Sequence, residues 1–381
     1  MQLLEAKHRE PSRNPAPSGL NQPYIFACSI FLALFTLHAA PQGESQASPF
    51  VDSSAQRRVS AVLKLGPNGI SEPLDFDVPA NTRSVTAVIE GDAQKLFALA
   101  SLRTADAIEH VNLDLGHSCC GVTMAQRYKA QIPTMPGTLY QNIRLGTFTA
   151  LYPYLVDQRL IAGSSQLRVA SDAAGGEVRV TVLMPQEDGS GVLHINLIVV
   201  SEQERGGRAG FLLPAQDILS QAGIRVVVDQ IRYLRRTPFS RITEWTEPAE
   251  RPQSQMARLA LQGRRLVVSN ALNIFVVDSL PGDVYGISLG TPGPPIAASY
   301  YNGVILRQLE SDDFMGRVFA HEVSHFLGLQ HLVDFGVGDV RYLDPFPDTE
   351  SGQGNLMESS GTMLTASQRF ALSRSALLRN Q

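Results

Sequence analysis

Hydrophobic and polar residues follow one another in short alternating or apolar runs through the first half of the chain. Such runs occupy residues 59–65, 84–91, 146–156, 166–171 and 177–185. Turn-forming residues separate them, as in the Pro-Asn-Gly at 67–69. Short strands at this spacing are typical of an all-β sandwich. We therefore predict a β-sandwich-like domain over residues 48–190, in which 92–103 fits either a short helix or a strand.

The pattern changes from about residue 191 onward. Buried strands are predicted at 193–201, 224–234, 272–280 and 302–308, and helices at 214–223, 254–262, 312–328 and after 364. Strands that alternate with helices indicate a mixed twisted sheet with helices packed on it. Residues 191–381 are thus predicted to form a second domain, and the fold class of the whole chain is α+β.

The N-terminal segment 1–47 has the parts of an export signal. A basic flank with Lys7, Arg9 and Arg13 precedes an uncharged run at 24–40, and small residues follow it. This order is typical of a secretory signal peptide. An uncleaved membrane anchor, with the bulk of the chain outside, or a wrongly assigned start codon are the alternatives. We expect a secreted or periplasmic protein that meets a membrane only through such an anchor.

Composition narrows the choice of function. Charged residues make up 18% of the 381 positions and the net charge is −4, which disfavours a nucleic-acid partner. The three cysteines are too few for a disulfide framework. Two of them, Cys119 and Cys120, are adjacent and could form a disulfide or stay as thiols. They could also keep a metal site latent, or bind a separate metal with His117.

The chemistry is concentrated in residues 321–331, which read HEVSHFLGLQH. His321 and His325 are four positions apart and share one face of the predicted helix, so both imidazoles can reach one metal ion. Gly328 can end the helix in a left-handed conformation and bring His331 back as a third ligand. Three protein ligands leave one position for water, as in catalytic zinc sites. Glu322 lies beside the metal as a candidate base.

This motif, HExxHxxGxxH, resembles that of the metzincin zinc peptidases. The segment 355–365, NLMESSGTMLT, resembles their Met-turn, which implies that Met357 forms an apolar floor beneath the zinc. The resemblance covers about 190–381 and implies a metzincin-type catalytic domain. It extends to bacterial secreted metzincins with a β-rich domain in front, although that half carries no quotable motif. Leu332 after the third histidine, and Ser359 in place of a tyrosine, leave the subfamily open.

The predicted function is a secreted zinc metalloendopeptidase with a protein or peptide substrate. Glu322 acts as general base, and the substrate pairs with an edge strand within 284–299. One alternative is a latent or inactive zinc domain in a surface-binding or adhesion protein that uses the β-rich half. In another, that half is a pro-domain removed near 185–192. Tyr342 could stabilise an oxyanion or pack within its loop.

A second metal is conceivable in the loop after the third histidine. The stretch 334–350 holds Asp334, Asp339, Asp344, Asp348 and Glu350. Their carboxylates could bind Ca²⁺, although their spacing is not that of an EF-hand. The alternatives are solvated loop charges or hydrogen bonds within the loop.

Overall fold

The computed structural model describes residues 56–112, 140–144, 146–186, 191–200, 209–234, 237–244, 254–266, 271–289, 303–335, 341–358 and 360–379. These residues all belong to one compact unit, Ala47–Gln381. The predictions for 1–47, Cys119, Cys120 and Ser359 lie outside the described residues, as do those for the side chain of Tyr342. Within the described ranges, no helix is long and apolar enough to cross a membrane.

Among the described residues, the first part of the unit contains nine strands. They are β1 (Gln56–Lys64), β2 (Leu74–Val78), β3 (Val85–Glu90), β4 (Phe97–Arg103), β5 (Glu109–Asn112), β6 (Tyr140–Arg144), β7 (Thr147–Tyr152), β8 (Gly163–Ser171) and β9 (Glu177–Pro185). They form two antiparallel sheets, ordered β1-β9-β3-β7-β6 and β2-β8-β4-β5. The ambiguous segment 92–103 is therefore a strand over most of its length.

The two antiparallel sheets enclose one hydrophobic core. Strand β2 shows the underlying pattern, since Leu74, Phe76 and Val78 are buried while the two aspartates between them are exposed. The shared core also takes residues from the opposite sheet, among them Ile89 and Val180. Two sheets that bury alternate side chains against each other make a β-sandwich, as predicted.

The second part of the unit has a mixed sheet of five strands. They are β10 (Gly191–Val199), β11 (Ile224–Tyr233), β12 (Leu272–Val277), β13 (Gly286–Ser288) and β14 (Val304–Arg307). Their order is β11-β10-β12-β14-β13, and only β13 runs antiparallel to its neighbour. Strand β13 thus forms one edge of the sheet, inside the range predicted for an edge strand. A small hairpin of β15 (Val333–Phe335) and β16 (Arg341–Leu343) lies outside this sheet.

Helices cover both faces of the mixed sheet. They are α1 (Leu212–Ser220), α2 (Gln255–Leu266), α3 (Asp312–Leu327) and α4 (Ala366–Ser373). Helices α1, α3 and α4 contribute to one core, and α2 packs into a separate core on the other face. Strands that are covered on both sides read as nearly continuous apolar runs, which is why β10 and β12 show little alternation. The α+β class is confirmed, whereas the domain boundary near residue 190 stays a prediction.

Candidate metal centre

Helix α3 carries the first two histidines, and its sequence determines where it begins. The Oγ atom of Ser311 accepts a hydrogen bond from the backbone N–H of Phe314 at 3.2 Å, which caps the first turn. On the buried face, Phe319 and Val323 are fully inaccessible to solvent. This packing fixes the helix against the sheet, so its polar residues have defined positions.

The helix ends at Gly328, as the sequence predicts. Gly328 has φ +119°, a left-handed conformation that favours glycine, and its N–H donates to the carbonyl of His325 at 3.0 Å. The reversal returns the chain toward the helix. The Nε2 atom of His331 lies 3.2 Å from Nε2 of His321 and 3.0 Å from Nε2 of His325. The structure therefore brings the three predicted histidines together.

The geometry of the three imidazoles fits a tetrahedral metal ion. The remaining Nε2–Nε2 distance, between His325 and His321, is 3.1 Å. Zinc held at about 2.0–2.1 Å by tetrahedral nitrogens separates those nitrogens by roughly 3.3–3.4 Å. Two backbone carbonyls hold the rings: Nδ1 of His321 donates to Leu356 at 2.7 Å, and Nδ1 of His325 donates to Leu329 at 2.9 Å. Such bonds aim Nε2 at the centre of the cluster.

Electrostatics favour neutral imidazoles in this cluster. Burial, together with the adjacent His321 and His331, holds the pKa of His325 well below its usual value. Neutral rings are the form that binds a metal. Burial also raises the pKa of Glu322 to about 7, against the opposing effects of His331 and a backbone hydrogen bond from Ser288. A cation beside this carboxyl group would favour its ionised form.

Edge strand β13 lies directly over Glu322. A Cβ atom built on Gly286 would lie 2.5 Å from Cγ of Glu322 and 2.8 Å from Cγ1 of Val318, so a larger residue does not fit without movement. Two positions further along, the backbone of Ser288 hydrogen-bonds the Glu322 carboxyl group. One short strand thus leaves room for the carboxyl group and holds it in place.

The Met-turn segment, residues 355–365, places Met357 in the hydrophobic core that also contains helix α3. Met357 is 1% exposed and belongs to the same core as α3. Its N–H donates to Oδ1 of Asn355 at 2.9 Å, and the side-chain amides of Asn355 and Gln368 exchange two hydrogen bonds of 2.9 and 3.1 Å. Gln368 also completes a capping box with Thr365 at the start of α4. The α4 cap therefore fixes the turn whose Leu356 carbonyl holds His321.

The described carboxylates of the acidic loop give no support to the possible calcium site, and the side chains of Asp334 and Asp339 lie outside the described residues. Oδ2 of Asp348 accepts from the N–H of Ser367 at 2.9 Å, and Oε2 of Glu350 accepts from Gln353 at 2.5 Å. In the part of the chain that the structure describes, the histidine cluster is the only group of three or more His, Cys, Asp or Glu side chains that could hold an ion. Among the described residues, the three histidines are thus the one candidate metal site, and their nitrogen ligands are of the type that zinc prefers.

Sequence reasoning missed the roles of four residues of this site. Gly286 lies within the range predicted for an edge strand, but only the position of β13 in the sheet shows that it abuts Glu322. Asn355 belongs to the quoted Met-turn segment, but no local pattern shows that its side chain pairs with Gln368. Tyr154 comes from the β-rich half, and its hydroxyl donates to the carbonyl of Gly328 at 2.8 Å.

Comparisons with known proteins give one family match and several weak structural likenesses. Residues 284–374 match the Peptidase_M43 family model, which is described as pregnancy-associated plasma protein-A. No curated protein matches. Among solved structures, metalloproteinase-II from Bacteroides fragilis aligns with 12% identity over 52% of this chain and 62% of its own length, at a TM-score of 0.31. A family two carbohydrate esterase from Cellvibrio japonicus aligns at 9% identity and a TM-score of 0.12, over 60% of this chain and 82% of its own.

Neither structural likeness is high enough to bear on the activity, and this chain spans less than two thirds of the Bacteroides protein. The family match is local but includes the whole histidine motif, the Met-turn segment and all of α4. The described geometry agrees with it, because three imidazoles converge where the motif requires them. Residues 284–374 are therefore similar to the Peptidase_M43 family in sequence, and they contain a histidine cluster that could hold a metal ion.

Proposed function

We propose that the protein is a zinc metalloendopeptidase in which His321, His325 and His331 bind one Zn²⁺ ion. The observation that carries this assignment is the convergence of three Nε2 atoms to within 3.0–3.2 Å of one another beside a buried glutamate. The three nitrogens leave one position open, which is the arrangement of catalytic rather than structural zinc. Met357 closes the apolar side of the site.

Glu322 is the residue that moves the proton. Zinc, when bound, supplies a Lewis acid that lowers the pKa of a bound water to about 7 and polarises a carbonyl group. Glu322 removes the proton from the attacking water and later donates it to the leaving nitrogen, since one carboxylate can act as base and then as acid. The backbone N–H of Ser288 keeps this carboxylate oriented during both transfers.

The substrate is a protein or peptide bound in extended form. Among the described strands, β13 has only β14 as a neighbour and ends the sheet, so its outer edge offers backbone groups for pairing. An extended peptide can add there as a further strand, which places its carbonyl groups along the cleft. Gly286 and Ser288 on this strand flank Glu322, and peptide binding at β13 would therefore bring the scissile bond to the base.

We further propose that the chain is exported, with residues 1–47 as a cleaved signal. The basic flank, the uncharged run at 24–40 and the small residues after it support this proposal. N-terminal sequencing of the mature protein from the medium or periplasm tests it. An intact N-terminus in the membrane fraction would favour the anchor instead.

The decisive experiment compares the zinc-loaded wild type with Glu322→Gln on an unfolded protein substrate. We expect turnover to fall by about 10²–10⁴-fold while the zinc content stays the same, because the base is lost and the three imidazoles are untouched. Glu310→Gln is the matched control, since Glu310 is exposed and lies just before α3. In His325→Ala, zinc itself should be lost.

Two results would contradict the assignment. Unchanged turnover in Glu322→Gln would exclude that residue as the base, and full zinc content in His325→Ala would exclude the ligand set. A zinc-loaded wild type without cleavage would instead favour a latent zinc domain in a binding protein.

A further inference from the structure

The loop after strand β7 of the β-rich half enters the core of the peptidase half. Leu151 and Tyr154 belong to the same hydrophobic core as Phe319 and Phe326 of helix α3. Tyr154 is 1% exposed, and its ring packs against Phe346 with 5.1 Å between ring centroids. The β-rich half therefore supplies buried side chains to the element that carries the histidines.

The hydroxyl of Tyr154 contacts the backbone that joins two of the histidines. It donates to the carbonyl of Gly328 at 2.8 Å, a buried bond between residues 174 positions apart. In the same peptide unit, the N–H of Leu329 donates to the carbonyl of Ser324 at 2.8 Å. The unit is thus held from both ends, by its own helix on one side and by Tyr154 on the other.

This peptide unit controls the direction of the third histidine. Gly328 is the left-handed residue at which the chain reverses, and His331 follows three positions later. The adjacent carbonyl of Leu329 accepts from Nδ1 of His325. A rotation of this peptide unit would therefore move both the Leu329 carbonyl that holds the His325 ring and the backbone that leads to His331.

We propose that Tyr154 is a positioning residue for the metal centre, and that the β-rich half is accordingly a permanent part of the peptidase. The inference rests on the proposed function, because it assigns Tyr154 a role toward the zinc held by the histidines. Removal of this half would withdraw the donor from the Gly328 carbonyl and open the core around α3.

A second set of contacts between the two halves, formed by Arg83 and Arg374, supports the same proposal. One Nη atom of Arg83 donates to the carbonyls of Ser375 and Leu378, at 3.2 and 2.7 Å. In return, Nη1 of Arg374 donates to the carbonyl of Arg83 at 3.0 Å. These bonds, two of them buried, join the sandwich to the residues after α4, far along the chain from Tyr154. The halves are thus fastened at two separate places.

The test compares Tyr154→Phe with Tyr152→Phe in the full chain. Tyr152 is a matched control because it is also buried, and its hydroxyl donates to the carbonyl of Arg159 within the β-rich half. Each variant loses one hydroxyl and keeps its ring. Zinc affinity is measured by competition with a chelator, and the visible spectrum of the cobalt-loaded protein reports the geometry of the ligands.

We expect the dissociation constant for zinc to rise about tenfold or more in Tyr154→Phe, which is typical when a group that supports a metal ligand is removed. The cobalt spectrum should change in the same variant. In Tyr152→Phe both should stay as in the wild type, even if the unfolding temperature falls in both variants. A purely structural role for Tyr154 would lower stability without this difference in zinc affinity.

The wild type alone gives a second measurement, which is independent of how the variants fold. Zinc binding should slow amide hydrogen exchange at 151–155 more than in strand β2, because coupling between the two regions is reciprocal. Equal zinc affinity in Tyr154→Phe and wild type, or equal slowing in both regions, would overturn the inference. Wild-type protein that binds no zinc would overturn the proposed function as well, so the two failures are distinguishable.

Discussion

Replacement of Gly286 by alanine tests whether strand β13 positions the carboxyl group of Glu322, the proposed base. The new methyl carbon would lie 2.5 Å from Cγ and 2.9 Å from Oε1 of Glu322. Carbon atoms in contact are normally 3.5–4.0 Å apart, so either the strand or the glutamate must move by about 1 Å. A displacement of that size at a reacting group lowers the rate by about 10²-fold.

The expected result is therefore a fall in kcat/KM of about two orders of magnitude, with zinc content unchanged. Overpacking of this kind also costs about 1–3 kcal/mol of stability. Steady-state kinetics on a fluorogenic peptide, together with metal analysis and denaturant unfolding, separate the two effects. Adding Val318→Ala to Gly286→Ala should restore part of the lost activity, because Cγ1 of Val318 is the other atom close to the new methyl group, at 2.8 Å.

Gly282→Ala is the matched control for this substitution. Gly282 lies in the turn before β13 with φ +64°, and a Cβ atom there meets nothing within 4 Å. That variant is expected to lose stability through backbone strain and to keep its kcat. Full activity in Gly286→Ala, or an equal loss of activity in both variants, would refute the argument from close contact.

Two further predictions concern stability near the site. Burial raises the pKa of Asp344 to about 6, and its Oδ2 has no hydrogen-bond partner among the described residues. Its contribution to stability is therefore fully present below about pH 4 and is lost as the pH rises through about 6. Asp344→Asn should gain on the order of 1–3 kcal/mol relative to wild type between pH 4 and pH 8 in denaturant unfolding; a pH-independent difference would contradict this. Gln368→Leu should lower stability by about 2–3 kcal/mol and weaken zinc binding, because it unties the turn that holds His321. The exposed Gln353→Leu serves as its control, and zinc affinity equal to wild type in both would disprove the link.

The local features of the site could be predicted from the sequence because they depend on neighbouring residues. Ser311 caps α3, Gly328 ends it, and the four-residue spacing of His321 and His325 sets their common face. Each depends on contacts within a few positions of the chain. The same holds for the capping box between Thr365 and Gln368.

The remaining features depend on contacts between distant parts of the chain. Strand β4 was ambiguous because Phe97–Leu99 are all buried, so the run lacks the alternation that marks a strand. The contact of Gly286 with Glu322 follows from the place of β13 at the end of the sheet. The bond from Tyr154 to Gly328 spans 174 residues, and no local pattern reports such a pairing.

The hydrogen bonds of Arg83 to Ser375 and Leu378 also determine when the two halves can be joined during synthesis. The bond to the carbonyl of Leu378 joins residues 295 positions apart, so it cannot form before both residues have been synthesised. A ribosome releases Arg83 long before Leu378. The β-rich half therefore stays without these contacts until residues 375–378 have been made, and the two halves can be fully joined only after that point.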